Sequence, residues 1–98
     1  MEGIYIMTSV TYQLEGIDDG GRYFSRSLEI TDSEGLFSAL INYEGLKIAT
    51  NYYHTKEEAL KELVSDLRKR GFIKIRARLN YIRGRYLVEE RPWIYFPD

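Results

Sequence analysis

The residues best equipped for chemistry lie in RKRGFIKIRARLNYIRGR, residues 68–85, which holds eight Lys or Arg in eighteen positions and no Asp or Glu. Strand alternation predicts Lys74, Arg76 and Arg78 on one face, about 6.5–7 Å apart, near the phosphate repeat of a nucleic-acid strand. A row of cations following a backbone supplies sequence-tolerant affinity for a polyanion. Arg68, Arg70, Arg83 and Arg85 extend that row at its two ends, and Tyr81 and Tyr86 offer stacking surfaces. Arginine outnumbers lysine here, which suits bidentate phosphate contacts. The same residues admit a plainer reading. Cations favour a helix C-terminus, blunt sheet edges, and pair with acids across a hairpin, where Arg78 would face Glu89 with Arg76 close to Glu90. The sequence leaves both readings open.

Other chemistry is scarce. His54 is the sole histidine and there is no cysteine, so thiolate chemistry is absent and a nitrogen- or sulfur-ligated metal site is not expected. The paired carboxylates Glu57-Glu58 and Glu89-Glu90 diverge on a helix and on a strand, so neither pair forms a catalytic dyad by itself. The glycines fall at turns and caps, and none opens a phosphate-binding loop running into a helix. The expectation is a non-enzymatic binding module with no cofactor and no metal. A second binding candidate is the aromatic C-terminus, where Trp93, Tyr95 and Phe96 have the composition of a protein-interaction surface. The partners implied are nucleic acid, or a second copy of the chain or another protein.

Two family patterns bear on these residues. Arg70-Gly71-Phe72 matches the opening of the RNP1 pattern of RNA-recognition motifs, but Ile73, Lys74 and Ala77 stand where that pattern wants small or aromatic residues. A strand pair followed by Thr55 to Ala59, Thr-x-x-Glu-Ala, is similar to the centre of HicB-type antitoxin domains, although four preceding strands exceed that core. The latter resemblance implies a regulatory, partner-binding role and assigns no residue.

The elements that must position these side chains follow from periodicity. Ile4, Ile6, Thr8, Val10, Tyr12 and Leu14 alternate as the inward side of a strand. Further strands are predicted over 22–30, 36–43 and 46–53, the last two joined by the Glu44-Gly45 turn. Arg26 interrupts the apolar side of the second strand, which places it near an edge or beside an acid. Thr55 and Glu58 form a capping box, and Ala59, Leu60, Leu63, Val64 and Leu67 make one apolar helical stripe. Gly71 suits the left-handed position that ends the helix, with Phe72 as its apolar follower. A last hairpin turns at Arg83-Gly84, and Pro92 ends its returning strand.

Residues 1–98 thus read as one α+β domain of order β-β-β-β-α-β-β, with an antiparallel sheet packed on a single amphipathic helix in two layers. Hydrophobic content of 44% and charged content of 30% fit a globular chain and argue against disorder. Net charge is −1, so the +8 of residues 68–85 leaves −9 on the rest of the chain. No stretch reaches the roughly 20 apolar residues of a membrane span. The start carries Glu2 where a signal peptide would be basic, so a cytoplasmic location is expected.

Overall fold

Four strands in succession form an antiparallel meander in the computed structural model, which describes residues 7–82 and 85–97. They are β1 (Met7–Ile17), β2 (Tyr23–Ser33), β3 (Leu36–Tyr43) and β4 (Leu46–Ala49). A helix, α1 (Lys56–Lys69), leads to β5 (Ile73–Ile82), then to two short strands, β6 (Arg85–Tyr86) and β7 (Ile94–Phe96). The sheet order is β4-β3-β2-β1-β5-β6, with β7 also on β5. This is the two-layer α+β arrangement expected from the pattern. Ile4 and Ile6 and the Arg83-Gly84 turn lie outside the described residues.

Helix α1 forms where its caps dictate. The Thr55 hydroxyl accepts from the Glu58 amide at 3.0 Å, and Glu57 and Glu58 sit at the positive end of the dipole. At the other end, Phe72 N–H reaches Leu67 C=O and Gly71 N–H reaches Arg68 C=O, at 3.0 and 2.9 Å. That pair of bonds is a Schellman motif, and Gly71 holds its left-handed position at φ 97°. The buried stripe Ala59, Leu60, Leu63, Val64 and Leu67 faces the sheet. Each of its larger side chains contributes roughly 1.5–3 kcal/mol by leaving water.

The sheet offers Val10, Tyr12, Leu14, Leu28, Ile30, Ala39, Ile41, Ile75 and Ala77 to that stripe. At one end Phe24, Tyr43 and Phe72 meet edge to face, with ring centroids 5.1–5.4 Å apart. Arg26 lies on this apolar side too. It is half-buried, with its guanidinium 4.7 Å from the centre of the Tyr43 ring, so an aromatic face takes the place of the expected acid.

Three details differ from the expected pattern. β4 stops at Ala49, because the Thr50 hydroxyl enters the ladder and accepts from the Ala39 amide at 2.9 Å; Tyr53 then rejoins Phe37 as a single bridge. β5 is not regular, and its register against β1 shifts between Glu15 and Ile17, where Lys74 takes φ 54°. Gly16 makes room for that irregularity, since a Cβ there would stand 3.0 Å from the Ile73 carbonyl oxygen and from the Phe24 ring. The last hairpin pairs Tyr81 with Tyr86 and Ile82 with Arg85, as expected, and then opens. Val88 is fully exposed and does not face Leu79, and β7 returns to pair with Ile75–Ala77.

The turn between β1 and β2 is tied to β3 by a buried carboxylate. Asp18 accepts from the amides of Gly20 and Arg22, each at 2.9 Å, and from the Tyr43 hydroxyl. The Tyr43 hydrogen bond foremost, then the Arg22 amide, brings the Asp18 carboxyl down to about 2. Burial, followed by that carboxylate, pushes the Tyr43 phenol up to about 12. A carboxyl with a folded-state pKa below its unfolded value stabilises the fold above the unfolded value, and that contribution fades as pH falls through the folded one. Asp18→Asn should therefore lower the melting temperature at neutral pH. It should also flatten the loss of stability that the lowered carboxyl implies for the unmodified protein between about pH 4 and pH 2. Melting curves with the same pH dependence for both proteins would contradict this role for Asp18.

Candidate binding face of the sheet

Helix α1 covers one face of the sheet, and the other face carries the polar side chains of the same strands. Cross-strand neighbours share a face, so the register places Glu15 beside Arg76 on β5 and Ser25 on β2. In the same way Gln13 lies beside Arg78 and Ser27. Thr11 lies beside Tyr81 and Glu29, and Tyr95 on β7 lies beside Arg76.

Glu15 is the hub of this face. Only 7% of it is exposed, although it sits in mid-sheet with no second layer above it. Its Oε1 accepts from Arg76 Nε at 2.9 Å and Nη2 at 2.6 Å, and its Oε2 accepts from Gln13 Nε2 at 2.9 Å. Tyr23 donates its hydroxyl to the same carboxylate. Burial alone would raise the Glu15 carboxyl, but the hydrogen bonds from Tyr23 and Arg76 outweigh it and hold the group below its usual range. Tyr23 and Arg76 are raised in turn, each first through its hydrogen bond to Glu15. By the linkage sign, this carboxylate also stabilises the fold above its unfolded pKa and ceases to do so in acid.

The second arginine is held less tightly. Arg78 Nε donates to Gln13 Oε1 at 3.1 Å, and Nη1 lies 3.5 Å from the exposed Glu90 carboxylate. The indole of Trp93 lies against both guanidiniums, with its centre 3.8 Å from Arg76 Cζ and 4.5 Å from Arg78 Cζ. Tyr95 adds a hydroxyl contact to Arg76. The acid partners therefore differ from those expected across the hairpin. Arg76 pairs with Glu15, 61 residues away, and Arg78 meets Glu90 instead of Glu89.

The predicted cations divide into groups. Arg76 and Arg78 come together under Trp93. Lys74 is carried out of their alternation by its positive φ, which breaks the uniform ladder that the sequence suggested. Arg68 stays on the last turn of α1 and Arg70 is its C-cap, 3.6 Å from Asp66. The Arg68 Nε is buried with no hydrogen-bond partner among the described residues. Arg85 is exposed and pairs with Ile82, which faces the core side. Arg83 lies outside the described residues. The aromatic tail divides as well. Phe96 packs on the core, Trp93 covers the arginines, and Ile94 and Tyr95 are 44% and 66% exposed.

Glu15, Gln13 and Tyr23 were missed as members of a site. The available signal was the outward-facing Gln13-x-Glu15 on β1, but its meaning depends on β1 pairing with β5. His54 is exposed ahead of the helix. No group of three or more metal-ligating side chains is present among the described residues. Among these residues, too, no helix is long and apolar enough to cross a membrane. Comparison of the chain with family models, curated proteins and solved structures gave no match.

The strength of the hub is measurable by a double-mutant cycle with Glu15→Gln and Arg76→Met. A part-buried, doubly hydrogen-bonded pair should show a coupling by denaturant unfolding that exceeds the lower range of about 0.2–1 kcal/mol usual for an exposed pair. A coupling in the lower range would mean that Glu15 is bystander surface.

Proposed function

We propose that the chain is a non-enzymatic module that binds single-stranded nucleic acid weakly, and with little sequence preference, on the open face of its sheet. The observation that carries this reading is the state of Arg76. Its charge is already matched by Glu15, and its guanidinium carbon lies 3.8 Å from the centre of an aromatic ring on the sheet face that helix α1 leaves open. Arginine planes and tyrosine rings are the surfaces on which unpaired bases stack. The same face supplies Tyr23, Tyr81, Tyr86 and Tyr95 as further rings, with Gln13, Ser25, Ser27 and Asn80 as hydrogen-bonding groups.

Because Arg76 is neutralised and the other cations are dispersed, stacking outweighs phosphate attraction in this reading. The salt dependence should be shallow for that reason. Two phosphate contacts, from Arg78 and one neighbouring cation, give a slope of log K against log salt of about −1.4 for a single strand. Fluorescence anisotropy with a labelled single-stranded oligonucleotide should show binding at low ionic strength with that slope, and weaker binding to a duplex. A flat titration at low salt, or a preference for duplex, would reject the reading.

A second reading draws on different residues. β7 lies at the sheet margin with Ile94 and Tyr95 exposed, and Val88, in the segment that leads to it, is fully exposed. An edge strand with apolar side chains is suited to pairing with a second copy of the chain. In that case Ile94→Ser combined with Tyr95→Ser should shift the protein from dimer to monomer in sedimentation velocity. A wild-type protein that is monomeric at every concentration removes this reading.

A further inference from the structure

The chain that returns from β6 to β7 follows the edge of β5 and sets Trp93 and Glu90 against Arg76 and Arg78, two side chains that together have the chemistry of a nucleotide. The Trp93 indole lies against the two guanidiniums at 3.8 and 4.5 Å, where a stacked base would lie. The Glu90 carboxylate stands 3.5 Å from Arg78 Nη1, where a phosphate oxygen would stand. Beneath them the receiving groups are already fixed. Glu15 clamps the edge of Arg76 through Nε and Nη2 and leaves its plane to stack, and Gln13 holds Arg78 by Nε.

The covering segment itself is lightly held. Its backbone is bonded to β5 at Leu87, whose amide donates to the Asn80 carbonyl at 3.0 Å, and again at Ile94. Residues 88–93 between them belong to no strand, and the Glu90 side chain is 81% exposed. An exposed carboxylate 3.5 Å from its partner contributes little and is readily displaced.

We infer that the surface under Trp93 and Glu90 is the binding site for one base-and-phosphate unit of a single-stranded nucleic acid, occupied in the free protein by these two side chains as an internal stand-in. The inference rests on the nucleic-acid reading above and adds to it the location of the site and the reason binding is weak. Binding exchanges Trp93 for a base and Glu90 for a phosphate. The apparent affinity is therefore reduced by the fraction of molecules in which the segment is closed.

Trp93 is the only tryptophan, so its emission reports the exchange directly. Addition of single-stranded oligothymidylate to the wild-type protein should shift that emission to the red in a saturable way. Trp93→Leu should bind the same oligonucleotide at least about tenfold tighter by anisotropy, the factor expected when a cation–π contact no longer competes. Glu90→Gln, at an exposed position that leaves the fold intact, should bind several-fold tighter and keep the fluorescence response. If the wild-type protein binds and neither variant is tighter, the stand-in is rejected while the nucleic-acid reading survives. If both variants bind more weakly, Trp93 is a platform for the ligand and the inference fails in the same way. If no form binds, both readings fall. Thymidine monophosphate is the remaining arm, and an affinity equal to that of the strand would overturn the assignment to a strand.

Discussion

A carboxylate enclosed in the middle of an uncovered sheet face is the constraint around which the polar half of this molecule is organised. Glu15 cannot rely on bulk water at 7% exposure, and unpaired burial of its charge would cost several kcal/mol. Arg76, Gln13 and Tyr23 satisfy it from β5, β1 and β2, so one side chain laces three strands together on the side that the helix does not reach. The arginine thereby loses most of its value as a free charge and gains a fixed orientation. Trp93 then rests its ring over a guanidinium that is already held in place.

Most of the architecture was legible in local chemistry. The Thr55 cap, the Gly71-Phe72 stop and the five-residue apolar stripe define α1 with no reference to the rest of the chain. The Glu44-Gly45 turn likewise joins β3 and β4 in the expected register. Side chains three or four apart on a helix, or two apart on a strand, carry their own geometry. The ends of β4 and β6 were not legible, because they depend on a hydroxyl entering a ladder at Thr50 and on a chain that leaves its partner after Tyr86. A lysine at positive φ has no signature in residue type, so the break in the Lys74-Arg76-Arg78 ladder was invisible too.

The candidate face was half legible for a related reason. Residue type alone marked Arg76, Arg78 and Trp93, but their partners were set by a pairing between β1 and β5 that no turn enforces. A helix intervenes between the meander and β5, so the neighbour of β1 on its second edge is a tertiary outcome. Once that pairing is known, Gln13-x-Glu15 opposite Arg76-x-Arg78 is an ordinary ladder of complementary side chains.

The central place of β1 has a further consequence, for the order in which the molecule is assembled. β1 through β4 join neighbours in the chain and can zip together as they leave the ribosome. The other side of β1 stays unpaired until β5 is made, because Glu15 and Arg76 are 61 residues apart. Pairings across such separations close late and slow the overall rate. Until then, the nascent chain exposes an open backbone edge and an acid with no cation opposite it, the kind of surface on which chaperones act and on which chains aggregate when synthesis outruns folding.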